Sequence, residues 1–145
     1  MIWKQFPATV LVMALSALDP AVGAQQQDLF KVRLSPVPID ATMRNDVTGS
    51  GSASAVLVAN RLTITGSFEG LRGPATAARL HQGPRTGIRG SVIGELTVSP
   101  ALAGRIAGSV ELTSAQIAGL QKGAFYIQIH SEKAPDGNLW GWLLK

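Results

Sequence analysis

Along most of this chain apolar and polar residues alternate with a period of two, a pattern that a strand with one buried and one wet face satisfies and a helix does not. Residues 61–69 (RLTITGSFE) set Leu62, Ile64, Gly66 and Phe68 on one face and Thr63, Thr65, Ser67 and Glu69 on the other. Residues 104–112 place Ile106, Gly108, Val110 and Leu112 inward, and residues 91–98 place Val92, Gly94, Leu96 and Val98 against Ile93, Glu95 and Thr97. Segments 29–35, 53–58, 75–81, 125–131 and 139–144 complete about eight expected strands, separated by Gly, Pro and Asn turns. Thr113-Ser-Ala-Gln116 has the form of a capping box, with Ile117 and Leu120 at helical spacing and Gly123 able to close the end. The only helix is therefore expected over 114–122. Strands joined by hairpins and one crossing helix predict an all-β fold, an antiparallel Greek-key β-sandwich of about eight strands with one short helix.

The N-terminus has a different grammar. Lys4 precedes an eleven-residue apolar run, 8–18, then Asp19-Pro20 and the small residues Val22 and Ala24. This is the form of a cleavable signal peptide, and cleavage is expected after Ala24. The run is about half of the roughly 20 apolar residues that a membrane span needs, so no transmembrane segment is expected after cleavage. Residues 1–24 read as the signal peptide and 25–145 as one domain, located in the periplasm or secreted. The chain has no cysteine, so its fold rests on packing alone, and thiolate catalysis and cysteine metal sites are excluded. Removing Lys4 with Asp19 leaves the net charge of +4 unchanged. That charge suits an anionic polymer or protein ligand of the envelope or extracellular space. Lys and Arg are scattered and the aromatic residues lie in strand patterns, so nucleic acid is not an expected partner.

Several segments, in order, resemble the CHRD domain, a family named after chordin and also common as a stand-alone secreted domain in bacteria. They are Phe30-Lys-Val-Arg-Leu-Ser35, Phe68-Glu-Gly-Leu71 leading into Ala75-Thr-Ala-Ala-Arg-Leu-His81, and Leu112-Thr-Ser-Ala-Gln116. Gly123-Ala-Phe-Tyr-Ile-Gln-Ile-His130 and Pro135-Asp-Gly-Asn-Leu-Trp-Gly-Trp-Leu143 complete the set, so that the resemblance runs from Phe30 to Leu144. It implies a secreted β-sandwich without an assigned chemistry. Two positions depart from the family's usual pattern. Arg79 stands where the resemblance implies a first His of a His-aliphatic-His motif, and Trp140 stands where it implies an Arg.

His81 and His130 are the only histidines. A weaker resemblance, to the copper–zinc superoxide dismutases, makes them a candidate copper or zinc pair. Such a copper site needs about four imidazoles, and an Arg beside it offers no lone pair. Metal binding is therefore the runner-up reading, and the expectation is no metal and no cofactor. Serine elbows, phosphate-binding Gly loops and His-Glu-x-x-His are absent from the sequence, and no catalytic residue is assigned. The chain is expected to be a non-enzymatic binding or envelope-structural module.

Its candidate binding residues are Arg79, His81, His130, Trp140 and Trp142. Alternation puts Arg79 on the face of His81, and Trp140 on that of Trp142. The paired departures read either as linked, with Arg79 stacked on one of the two indoles, or as independent drift at two solvent positions. Arg72, Arg79, Arg85 and Arg89 form a basic cluster that reads as an anion-binding rim or, more simply, as a solvated loop.

Overall fold

The alternating segments do form strands. In the computed structural model, which describes residues 26–145, β1 runs over Gln27–Pro36, β2 over Ser50–Val58, β3 over Arg61–Glu69 and β4 over Ala75–Gln82. β5 is Ser91–Val98, β6 Gly104–Glu111, β7 Phe125–Ser131 and β8 Leu139–Trp142, with the helix α1 at Ser114–Gln121 between β6 and β7. A 3₁₀ turn at Ala41–Met43, capped by the Asp40 carboxylate, adds a second helical element to the one expected. The expected signal segment and its cleavage point lie outside the described residues.

Every neighbouring pair of strands is antiparallel, and the order around the sheet is β1-β2-β3-β6-β5-β4-β7-β8, closing back on β1. β4, β5 and β6 are consecutive neighbours and β3 returns beside β6, which is the Greek-key order. The expected two-sheet sandwich is corrected here: the eight strands close into a barrel. Every strand has two partners, and closure happens where β1 and β5 pass from one half of the wall to the other. β5 leaves β4 and joins β6 through Thr97↔Ala107 and Val98↔Ile106. β1 lies along β2 and also pairs with β8 at Ser35↔Trp140 and Pro36↔Leu139, with a further bridge from Lys31 to Leu144. Closure removes the free edges that an open sandwich would present.

The interior is filled by side chains. Phe30, Leu34, Leu62, Ile64, Leu80, Ile106, Phe125, Ile127, Ile129 and Leu139 are all buried in one continuous core. Leu62, Ile64 and Phe68 point inward with Ile106, Phe125, Ile127 and Ile129, as the alternation predicts, and Val110 packs against them from a partly buried position. One register differs. The β4–β5 ladder shifts between Leu80 and His81, so that Leu80 faces Gly94 while His81 faces Val92. Ile93 is the extra residue of this bulge; it packs on the core, and Val92, expected inside, is exposed. On α1 the capping box is present, with the Thr113 hydroxyl accepting from the Gln116 N–H and the Gln116 side chain accepting from the Thr113 N–H.

β7 is buried along its whole length, although it belongs to a single closed sheet. Its inner residues reach the core, while its outer residues Tyr126, Gln128 and His130 lie under three connecting segments. The loop after β4 bonds Tyr126 through Gly90, and the loop before β8 bonds Gln128 through the Asp136 carbonyl. The loop after β1 is tied in by the Asn138 amide donating to the Thr48 carbonyl and by a small cluster of Val37, Val47 and Ala134 packed with Met43 and Trp140.

Candidate functional site

All five candidate residues meet on the outer face of β4, β7 and β8. Arg79 pairs with Gln128, which pairs with Trp140; His81 pairs with Tyr126, which pairs with Trp142; and His130 lies opposite Ala77 in the next row. The same alternation that drives Leu80, Ile127 and Gly141 inward turns these residues out together.

Tyr126 organises one end of the patch. Its ring stacks on His81 at 4.7 Å with 12° between planes, and it meets Trp142 at 4.6 Å and the edge of Trp140 at 5.8 Å. Its hydroxyl donates to the Gly90 carbonyl and accepts from the Gly90 N–H, and His81 Nδ1 lies 3.1 Å from the same carbonyl. A carbonyl only accepts, so His81 carries its proton on Nδ1. Gly90 has to be glycine, because a Cβ there would collide with the backbone carbonyl of Gln82. At the other end His130 Nδ1 donates to the Pro135 carbonyl at 2.9 Å. Both Nε2 atoms are buried without a hydrogen-bond partner.

The expected stack of Arg79 on an indole is corrected. Arg79 Nε instead donates to the Glu95 carboxylate at 2.9 Å across the β4–β5 ladder, which draws the guanidinium away from β8. The cation over Trp140 is Arg89, 5.3 Å from the ring centroid, delivered by the loop that Gly90 anchors. Two of the four arginines of the basic cluster are thus engaged, Arg79 in an ion pair and Arg89 in a cation–π contact.

Burial pushes His81 below its ordinary value of 6.5; the Gly90 carbonyl works in the opposite direction, and positive charge on His130, Arg79 and Arg89 adds to the lowering. A lowered folded value means that the unfolded chain takes up the proton first, so stability falls as pH drops through about 6.5 and levels off below the folded value. Urea unfolding from neutral to mildly acidic pH should show this loss, and His81→Gln should remove that part of the pH dependence. A wild type that gains stability on acidification relative to His81→Gln would contradict the neutral, buried imidazole.

Trp140 and Trp142 are half-buried and also form one wall of a groove that continues over β1, β2, β3 and β6. The floor is a ladder of outward hydroxyls, Ser35, Ser52, Ser54, Thr65 and Ser67, and the cations are Lys31, Arg33 and Arg105. None of the groove's lining residues is acidic, and none of the three cations forms an ion pair among the described residues. Glu69 stands beyond Ser67, outside the lining. Sequence reading missed this surface. The available signal was the outward register of five strands, each of which alone looks like an ordinary solvated face.

A model of the CHRD domain matches residues 30–143. The chain belongs to the CHRD domain family. It matches no curated protein and no solved structure. The match begins at Phe30 in β1 and ends at Leu143 just after β8, so the CHRD domain spans the whole closed barrel, including the seam where its first and last strands meet. Within this CHRD domain Arg79 and Trp140 occupy one cross-strand row on either side of Gln128. They are neighbours in register but not contact partners, since Glu95 holds the first and Arg89 covers the second.

Proposed function

We propose that this CHRD domain is an exported, non-enzymatic binding module that captures a polymer of the cell envelope or extracellular space on its outer wall. The signal-like N-terminus supports export to the periplasm or the medium. One observation carries the binding reading: a groove open to solvent, walled by two held indoles, floored by hydroxyls and lined by three cations with no acid among its lining residues. A surface of unneutralised charge beside aromatic rings loses self-repulsion and gains contact when an anionic, amphipathic chain occupies it. Neither histidine hydrogen-bonds a hydroxyl, the contact by which a histidine activates a nucleophile, and this supports binding over catalysis.

The chain carrying Trp142→Ala together with Arg33→Ala should lose most of its retention on insoluble envelope material while remaining folded, and Arg33→Ala alone, at an exposed position, should weaken retention with an unchanged thermal unfolding profile. Equal retention of the variant and the wild type would remove the groove from the function.

A second reading, copper or zinc binding at His81 and His130, has the two buried, unpartnered Nε2 atoms in its favour: Nδ1 held by a carbonyl is the arrangement that orients an imidazole toward a metal. Against it, no third His or carboxylate joins them among the described residues, and Arg79 lies in the row between them. Metal analysis of protein purified without chelators separates the readings, since stoichiometric copper or zinc would favour the second.

A further inference from the structure

The outward residues of five strands fall into one continuous row. Arg33 pairs with Ser52, Ser52 with Ser67, and Ser67 with Arg105. On the other side of β1, Ser35 faces Trp140 and Lys31 bridges Leu144, which sets Trp142 beside Arg33 between them. Read across the barrel wall, the row is indole, guanidinium, hydroxyl, hydroxyl, guanidinium. With neighbouring strands about 4.8 Å apart, the two guanidinium-bearing positions are separated by about 14 Å of backbone.

We propose that this row is the binding track of an acidic polysaccharide laid across the strands, with a sugar ring on Trp142 and acidic groups at Arg33 and Arg105. The proposal rests on the binding-module reading and names its ligand class. Each part of the row matches one part of such a chain. The C–H face of a pyranose carries partial positive charge and sits on the negative face of an indole. Trp142 is already set for this, packed against Tyr126 and edge-on to Trp140 at 5.6 Å, so that little side-chain freedom is lost on binding. The two serines offer donors and acceptors to uncharged hydroxyls between the anchor points. The guanidinium forks take a carboxylate or a sulfate ester through paired N–H donors.

The alternatives fit less well. Polyphosphate offers no C–H ring face to Trp142 and no neutral hydroxyls to Ser52 and Ser67, and a nucleic acid sets phosphates, not ring hydroxyls, along the face it turns to a basic groove. A protein partner would bury an apolar centre, whereas the exposed middle of this track is hydroxyl.

The test is a titration of the signal-cleaved chain, at low and moderate salt, with alginate, dextran sulfate, neutral dextran and inorganic polyphosphate. Saturable binding of alginate or dextran sulfate is expected, weakening with salt, with neutral dextran inert and polyphosphate much weaker. The acidic glycan that binds more tightly identifies the charged group as carboxylate or sulfate. Arg33→Ala and Arg105→Ala should each weaken binding about tenfold, and Trp142→Ala at least as much. Glu111→Ala, on the outward face of β6 away from the track, should leave it unchanged. Polyphosphate binding as tightly as the glycans would reduce the surface to bulk charge and overturn the track. So would glycan binding that survives Arg33→Ala combined with Arg105→Ala. If no acidic glycan binds while retention on envelope material persists, this inference fails and the module reading stands. Loss of both ends both.

Discussion

Phe125→Ala is expected to lower the free energy of unfolding by about 3–5 kcal/mol. Phe125 is fully buried at the start of β7, pairs with Gln82 at the end of β4, and its carbonyl accepts the Leu143 N–H. The ring lies where α1 returns the chain to the sheet, near Gly119. β7 is held between the core and three covering loops, so the strands cannot collapse into the space the ring leaves. Chemical denaturation measures the loss directly. A change below about 1 kcal/mol would place Phe125 on a relaxed surface and shift the register of β7 by one residue.

The second large effect is expected at Gly141, between the two tryptophans on β8. Its missing side chain lets β8 approach β1: a Cβ there would press on the Arg33 carbonyl and on Val32 Cγ1. The first is backbone and cannot swing aside, so Gly141→Val must push β8 and β1 apart where they meet. Overpacking of this kind costs about 1–3 kcal/mol. Unlike Phe125→Ala, it should also act locally. The Lys31 and Leu144 amides, which exchange hydrogen bonds of 2.8 and 3.1 Å across the seam, should lose hydrogen-exchange protection before the rest of the barrel does. Unchanged protection at these two amides would mean that the seam yields without opening.

The alternation in β3 and β6 was enough to assign their faces, because a half-buried strand has no other way to place Leu62, Ile64 and Ile106 inside. Closure could not be read in the same way. It depends on a handful of pairs, Thr97 with Ala107 and Ser35 with Trp140 among them, which carry no local signature. The bulge at Ile93 was hidden because Val92 and Ile93 are both apolar, and only the partner strand decides which of the two turns in. At the site, the shared face of Arg79 with His81 and of Trp140 with Trp142 was legible from parity, but the reach of a long side chain was not. Glu95 claims Arg79 from one side, and a turn anchored at Gly90 brings Arg89 to the indole instead. The groove was illegible for a third reason. Its row takes one residue from each of five strands scattered over the sequence from Arg33 to Trp142, and no local window contains two of them at a telling spacing.

The pairing of the first strand with the last also sets a clock. A chain emerging N-terminus first, from a ribosome or through an export channel, presents β1, β2 and β3 early, but the partner that completes β1 is β8, the last strand of the barrel. Until that point one side of β1 exposes unpaired backbone groups, and Phe30 and Leu34 lack Leu139 and Leu143. The seam cannot form piecemeal. Final closure must wait until β8 has emerged, and the groove, whose Trp142 wall comes from that strand, is assembled only at that moment.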